Sequence, residues 1–193
     1  MKSICVYCAS SIGKNQLYAK VAVDLGKTLA TYGIRTIYGG AKVGIMGKLA
    51  EGVISNKGEI IGIIPGFLKT KEIAHDGLTE LITVNNMHER KSLMQEMSNG
   101  FITLPGGFGT MEEFFEILTW GQIGLHKKPI GILNINGYYD HLLGLIDRMI
   151  EEELLNEKHK EIILVSDSIE DLISQMNLYQ VPFVPILENS NVM

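Results

Sequence analysis

Residues 100–113 read GFITLPGGFGTMEE, and their pattern is the strongest indication of the fold of this chain. The apolar, β-prone run over 100–104 predicts a strand, which leads into a turn at 105–109 with three glycines. A helix is predicted directly after the turn, from about Thr110 to Ile123, and apolar residues cover nearly its whole circumference. A strand that enters a helix through a glycine-rich turn is typical of parallel α/β sheets.

The same alternation of strands and helices continues in both directions along the chain. It predicts a parallel sheet covered by helices on both faces. We therefore expect an α/β fold: a single Rossmann-like, doubly wound domain over residues 1–180 with a mainly parallel sheet, and a C-terminal tail over 181–193. The predicted strands are 4–7, 34–38, 59–64, 79–84, 100–104, 129–133 and 162–165, and the predicted helices are 15–32, one that ends near 56, 87–98, 110–123, 138–152 and 169–176.

The composition fits a globular protein and excludes several classes. Of the 193 residues, 46% are hydrophobic and 20% charged, which argues against disorder, and the net charge of −5 argues against a nucleic-acid partner. No apolar run is long enough for a membrane span or a secretion signal, so we expect a cytoplasmic protein with no membrane partner. The five histidines are scattered without metal-ligand spacing, so no metal site is expected.

Cys5 and Cys8 have the C-x-x-C spacing that marks some redox pairs. They lie in the first predicted strand, where residues three positions apart face opposite sides of the sheet. The spacing therefore disfavours a disulfide and a redox function.

The turn at 105–109 has two interpretations that the residues alone leave open. Unpaired N–H groups at a helix start and the helix dipole attract anions, and glycines let the backbone approach them. The turn could therefore be a phosphate cradle, to which Thr110 adds a hydroxyl. Alternatively, Thr110 and Glu113 form a capping box, with Thr110 as the N-cap residue and Glu113 at the third helical position.

A second glycine-rich turn, residues 39–47, reads GGAKVGIMG and follows the second predicted strand. It is either another phosphate cradle or only a tight turn. It matches neither standard phosphate fingerprint, because Ala41 stands where one requires glycine and Ile45 stands where the other requires lysine.

Arg90 is the unexpected residue of the helix that follows the fourth strand. The residues on one face of this helix are Met87, Arg90, Met94 and Met97. A buried, unpaired charge is costly, so a buried Arg90 must pair with a carboxylate or face a cleft. Alternatively, Arg90 and Lys91 are both solvated at the start of the helix. The helix begins just after the carboxyl end of a strand, where doubly wound sheets bind ligands, and this favours the cleft.

Two of these motifs together resemble a known family. The sequences MHERK at 87–91 and PGGFGTMEE at 105–113 are similar to those of the LOG ("lonely guy") family, the cytokinin riboside 5'-monophosphate phosphoribohydrolases, also labelled possible lysine decarboxylases. Residues 105–113 match the family pattern Pro-Gly-Gly-x-Gly-Thr-x-x-Glu at every position. Residues 38–47 and 119–129 look like further family segments, and the similarity extends from about Lys2 to Met176.

The resemblance implies a hydrolase that cleaves the N-glycosidic bond of AMP or of an N6-modified AMP. The products would be the free base and ribose 5-phosphate, and the catalytic pair would be Arg90 and Glu113. The positions expected to bind the nucleotide, with the second glycine turn included, are Glu72, Lys91, Gly106, Gly107, Phe108, Gly109, Thr110, Met111, Glu112, Thr119, Gly39 and Gly40.

Two other functions compete with this hypothesis. Lysine decarboxylation normally needs pyridoxal phosphate on a Schiff-base lysine, and no segment stands out as that site, so we expect no cofactor. A non-catalytic carrier of a nucleotide or nucleotide cofactor could use the same turns, and the molybdenum-cofactor carrier proteins are distantly similar in this way. The fold does not separate carrier from hydrolase, although Glu113 with Arg90 nearby is more than a binder needs.

The helix predicted after residue 109 also indicates a homodimer. Its aromatic-rich segment from Phe114 to Trp120 offers more apolar surface than a single buried stripe uses. The resemblance implies the same state, because the chain has the length of the short, dimeric class.

Overall fold

The computed structural model describes residues 1–69 and 74–182, in which seven strands form one sheet. The strands are β1 (Ser3–Tyr7), β2 (Arg35–Tyr38), β3 (Ile60–Pro65), β4 (Glu80–Val84), β5 (Phe101–Thr103), β6 (Ile130–Leu133) and β7 (Ile163–Ser166). The helices are α1 (Gln16–Thr31), α2 (Gly44–Ser55), α3 (Met87–Glu96), α4 (Phe108–Gln122), α5 (Asp140–Glu151) and α6 (Ile169–Leu178), with short 3₁₀ helices at Ile135–Gly137 and Glu157–Ile162.

Neighbouring strands all run parallel, in the order β4-β3-β2-β1-β5-β6-β7. The chain builds one half of the sheet outward from β1 to β4 and then returns to place β5 on the other side of β1. The strand order therefore reverses between β1 and β5. A crevice at the carboxyl ends of the strands beside such a reversal is where doubly wound sheets bind ligands. The predicted fold class is confirmed.

Helices cover both faces of the sheet, and each face has its own apolar core. One core packs α1, α2 and α6 against the sheet and contains Leu49, and the other packs α3 and α4 and contains Phe114. Cys8 belongs to the first core and Cys5 to the second, and both are free thiols, as their positions in the strand predict. No helix of the described ranges is long and apolar enough to cross a bilayer.

One difference between predicted and observed element ends changes the interpretation of the site. α4 begins at Phe108, two residues before the predicted start, because Gly107 takes the N-cap position. Thr110 is therefore the third residue of the helix and is buried, so the capping-box interpretation is wrong. Residues 70–73 and 183–193, which include Glu72 and most of the predicted tail, lie outside the described residues.

Gly44 sets the position of α2 against the loop that follows β1. Its φ is +64°, and an added Cβ would overlap the backbone of Ser10. The close approach lets the N–H groups of Ile45 and Met46 donate to loop carbonyl oxygens, over N···O distances of 3.3 and 3.2 Å. Because these helix-start N–H groups have acceptors within the chain, the second glycine turn holds one wall of the crevice in place.

Replacement of Gly44 by alanine should therefore destabilise the protein. The left-handed backbone and the overlap with Ser10 together predict a loss of about 2–4 kcal/mol in the free energy of unfolding. The control is Gly144→Ala in the interior of α5, where an added Cβ meets no atom within 4 Å. Alanine there should stabilise by about 0.5–1 kcal/mol. Urea unfolding measures both, and equal stabilities for the two variants would contradict the role of Gly44.

Candidate active site

A cleft of about 310 Å³ opens at the carboxyl ends of the strands, where the strand order reverses. Its walls come from the loop after β1, the first residue after β2, the start of α2, the loop after β3, the face of α3 that carries Met87 and Arg90, and the first turns of α4. Six segments of the sequence therefore meet at one place. This is the position expected for the ligand site of a doubly wound sheet.

The glycines of the β5–α4 turn have different structural roles. An added Cβ at Gly106 would overlap the side chain of Thr110, so a glycine is needed there for packing. At Gly107 and Gly109 an added Cβ would meet no atom within 4 Å. The fold therefore does not require these two glycines, whereas a ligand that approaches the backbone closely would. Phe108 also lines the cleft, and 98% of its surface is exposed.

The start of α4 is suited to bind an anion. Gly107 caps the helix without a side-chain hydrogen bond, and its carbonyl accepts from the N–H of Met111. The N–H groups of the first turn point out of the helix start, and the helix dipole adds partial positive charge there. The phosphate-cradle interpretation of this turn thus agrees with the geometry.

Arg90 crosses the floor of the cleft. Asn86 caps α3 by accepting from the N–H of Glu89, and Arg90 then lies one turn into the helix, 6% exposed. One guanidinium nitrogen donates to the carbonyl of Gly39 over 3.4 Å and lies 4.0 Å from a carboxylate oxygen of Glu113. An added Cβ at Gly39 would overlap the guanidinium. The alternative of a solvated Arg90 is therefore wrong, because the side chain is buried and paired.

Glu113 brings a negative charge to the same floor. Its side chain is 12% exposed and faces Arg90 across the cleft, from α4 to α3. Burial raises the pKa of the Cys5 and Cys8 thiols well above the ordinary value, and the charge of Glu113 raises both further. These thiols therefore stay protonated and unreactive, and the polar chemistry of the floor belongs to Arg90 and Glu113.

Lys91 makes a second connection between α3 and α4. Its ammonium donates to Glu112 and to Glu116, over 2.5 and 2.9 Å, and its side chain is 10% exposed. Burial lowers the pKa of Lys91, but the hydrogen bonds and charges of the two carboxylates outweigh it and the net pKa is raised. Lys91 is not part of the cleft wall, whereas Glu112 is.

The other predicted positions do not all meet at the cleft. Met111 is partly buried and packs against the core beneath α4, and Gly40 packs against Gly62 with a φ of +81°. Thr119 lies further along α4, where its hydroxyl donates to the carbonyl of Phe115, and it lines a separate hollow of about 170 Å³. Direct binding of nucleotide by these three residues remains a prediction.

Several residues of the cleft were not assigned as site residues from the sequence. They include Ser10 and Ser11 in the loop after β1, Met46 at the start of α2, Leu68 after β3, and Met87 at the start of α3. The serines had a usable signal, because their turn follows a predicted strand whose carboxyl end faces the crevice. Met46, Leu68 and Met87 had no such signal, since apolar side chains in such positions are usually core residues.

In the described ranges 1–69 and 74–182, no three or more His, Cys, Asp or Glu side chains come together in a group that could hold a metal ion. The polar groups that line the cleft include a guanidinium, carboxylates, hydroxyls and backbone N–H groups.

Comparison with known proteins gives a consistent family. A family model described as possible lysine decarboxylase matches residues 46–176. The chain is 41% identical over 178 residues to the probable cytokinin riboside 5'-monophosphate phosphoribohydrolase LOGL6 of Oryza sativa subsp. japonica, which covers 92% of this chain and 71% of that protein. It is also 41% identical to the cytokinin riboside 5'-monophosphate phosphoribohydrolase LOG3 of Arabidopsis thaliana, over 92% of this chain and 83% of that protein.

Solved structures with the same fold include molybdenum-cofactor proteins. The carrier protein MCP of Chlamydomonas reinhardtii matches with a TM-score of 0.68 at 19% identity, over 92% of this chain and 96% of that chain. The molybdenum cofactor binding protein of Rippkaea orientalis matches with a TM-score of 0.67 at 22% identity, over 92% and 97%. Likeness at such low identity shows the fold alone.

Proposed function

Since the chain belongs to the possible lysine decarboxylase family, in the group that includes the cytokinin riboside 5'-monophosphate phosphoribohydrolases, we propose that it has their activity. It hydrolyses the N-glycosidic bond of an adenosine 5'-monophosphate, plain or N6-modified, to the free base and ribose 5-phosphate. The observation that carries the proposal is the Arg90–Glu113 pair on the floor of a cleft whose rim is an open, glycine-rich helix start.

The substrate phosphate binds at the turn from Gly106 to Thr110. The exposed backbone of Gly107 and Gly109 and the partial positive charge at the start of α4 support this assignment. Phe108, within this turn, provides an exposed aromatic face for the rest of the nucleotide. A nucleoside without the phosphate lacks the contacts that hold it at this rim.

The ribosyl C–N bond then breaks over the floor of the cleft. A water molecule adds its oxygen to the anomeric carbon, and the base leaves with the bonding electron pair and takes up a proton. Positive charge develops on the sugar as the bond breaks, and a carboxylate at Glu113 stabilises it and orients the water. Arg90 is permanently charged, so it cannot donate a proton; it orients Glu113 and the substrate. The reaction needs water but no cofactor.

Activity with monophosphates and inactivity with nucleosides is the first expected outcome. Purified protein is incubated with AMP, with isopentenyladenosine monophosphate and with the two matching nucleosides, and the free base is quantified by chromatography. Base release from the monophosphates alone supports the proposal, and the ratio between them identifies the preferred base. Intact nucleotide that stays bound to the protein would instead favour a carrier of nucleotides or nucleotide cofactors.

Removal of the carboxylate charge should abolish most of the turnover. Glu113→Gln keeps the shape of the side chain but loses the charge that stabilises the sugar cation, and we expect kcat to fall about 10²–10³-fold. The control is Glu96→Gln, the same change at an exposed position near the end of α3, outside the cleft. Full turnover by Glu113→Gln would show that another group carries the chemistry.

The protein forms a homodimer through the region around α4. Phe115, Leu118 and Trp120 remain partly exposed after α4 has packed on the sheet, and Ile123, just beyond the helix, is 63% exposed. Such a concentration of apolar surface around one helix is typical of an interface between protein chains.

The free, buried thiols fit a cytoplasmic location, where disulfides are rare. Cell fractionation that recovers the protein outside the cytoplasm would contradict this location.

Light scattering should give about 43 kDa, twice the 21.4 kDa of one chain. Ile123→Asp places a charge in the proposed interface and should shift the mass towards one chain. Leu178→Asp, at the exposed end of α6, is the control and should remain dimeric. A wild-type mass of about 21 kDa, equal to that of a single chain, would contradict the dimer.

A further inference from the structure

Two consecutive tyrosines hold the β5–α4 turn from outside the cleft. The hydroxyl of Tyr138 donates to the carbonyl of Gly106 and the hydroxyl of Tyr139 donates to the carbonyl of Leu104, each over 2.7 Å. Neither tyrosine is part of the cleft wall. The two hydrogen bonds lie on either side of Pro105, so the turn is fixed at both of its ends by residues that follow β6.

The connection from β6 to α5 fixes both tyrosines in place. The side chain of Asn134 accepts from the N–H of Tyr139 over 2.7 Å and donates to Asp140 over 2.8 Å. The ring of Tyr138 packs edge-on against Tyr139 on one side, 4.8 Å between centroids, and against Tyr18 of α1 on the other, at 5.4 Å. The Tyr138 hydroxyl therefore has one well-defined position, although the side chain is partly exposed.

The peptide that Tyr138 holds is the one that joins Gly106 to Gly107. A trans peptide is planar, so its C=O and N–H point in opposite directions. Since the carbonyl is bound to a tyrosine outside the cleft, the N–H of Gly107 is turned towards the cleft that Gly107 lines. With a glycine on each side, this peptide has few steric barriers to rotation. The tyrosine hydroxyl supplies the constraint that the glycines lack.

We propose that Tyr138 is a positioning residue that keeps the Gly107 N–H directed at the phosphate of the substrate. It acts through the backbone and does not touch the substrate. The inference rests on the proposed function in one respect, namely that the ligand of this turn is a phosphate. Tyr139 contacts the turn at different points, the carbonyl of Leu104 and the backbone of Gly106, and it does not bind the peptide that carries the Gly107 N–H. The peptide after Leu104 ends at the nitrogen of Pro105, which has no N–H to offer the phosphate.

This difference provides a matched pair of variants, each of which loses one hydroxyl and keeps its ring. Calorimetry measures the binding of inorganic phosphate and of ribose 5-phosphate to wild type, Tyr138→Phe and Tyr139→Phe, and thermal unfolding measures their stability. Tyr138→Phe should weaken binding of both ligands about 3–10-fold, the effect of one hydrogen bond, with Tm within about 2 °C of wild type. Tyr139→Phe should bind both ligands as wild type does but unfold at a lower temperature, because the buried carbonyl of Leu104 loses its partner.

Unchanged phosphate affinity in Tyr138→Phe overturns the inference, and so does an equal loss of affinity in both variants. If Tyr139→Phe does not fold, Tyr18→Phe replaces it as the control, since it removes a hydroxyl outside the turn. A wild type that binds neither ligand also overturns the inference. A wild type that binds phosphate but releases no base from AMP or its N6-modified form overturns the proposed function. In that case the calorimetry of the variants still decides the inference on Tyr138. In an active wild type, Tyr138→Phe should raise KM for the monophosphate more than it lowers kcat.

Discussion

The ion pair between Arg90 and Glu113 joins the two halves of the sheet across the place where the strand order reverses. Arg90 reaches the cleft from α3, which follows β4, and Glu113 reaches it from α4, which follows β5. A buried guanidinium is stable only if opposite charge and hydrogen-bond acceptors surround it. The carboxylate of Glu113 and the carbonyl of Gly39 supply opposite charge and an acceptor to one guanidinium nitrogen, so β2, α3 and α4 must come together for the charge to be tolerated. The buried Nε of Arg90 has no hydrogen-bond partner among the described residues.

The two ends of the cleft favour charges of opposite sign. The helix start at Gly107, the N-cap of α4, attracts an anion, whereas the carboxylate of Glu113, six residues further along, favours positive charge. Six residues of helix rise about 9 Å, a span comparable with that of a ribose 5-phosphate. Under the proposed function, a nucleoside monophosphate binds with its phosphate at the glycine turn and its sugar at the carboxylate. Molybdenum-cofactor carrier and binding proteins share the fold, so the fold does not distinguish a carrier from a hydrolase.

The sequence predicts the parts of this arrangement that depend on local pattern. The alternation of strands and helices, and the glycine turn after β5, predict the doubly wound sheet and the position of the cleft. Arg90 is identifiable because a charge on an apolar helix face requires a partner. The start of α4 was predicted wrongly because threonine is a better N-cap than glycine in isolation, whereas here Thr110 packs against Gly106.

Long-range contacts explain what the sequence does not predict. The ion pairs of Lys91 join residues more than twenty positions apart, and nothing in the helix pattern indicates them. The same holds for Tyr138, whose acceptor lies 32 positions earlier in the chain. The donor role of Ile45 and Met46 towards the loop after β1 likewise depends on the close approach at Gly44. Such contacts exist only once the sheet has assembled.

A crystal structure of the Glu113→Gln variant with a bound nucleoside monophosphate would locate the phosphate and the sugar directly. We expect phosphate oxygens within hydrogen-bond distance of backbone N–H groups between Gly107 and Thr110. We also expect the anomeric carbon of the ribose next to residue 113, with Arg90 on the same side of the cleft. A phosphate bound at the 39–47 turn, or a sugar directed away from residue 113, would contradict the proposed mechanism.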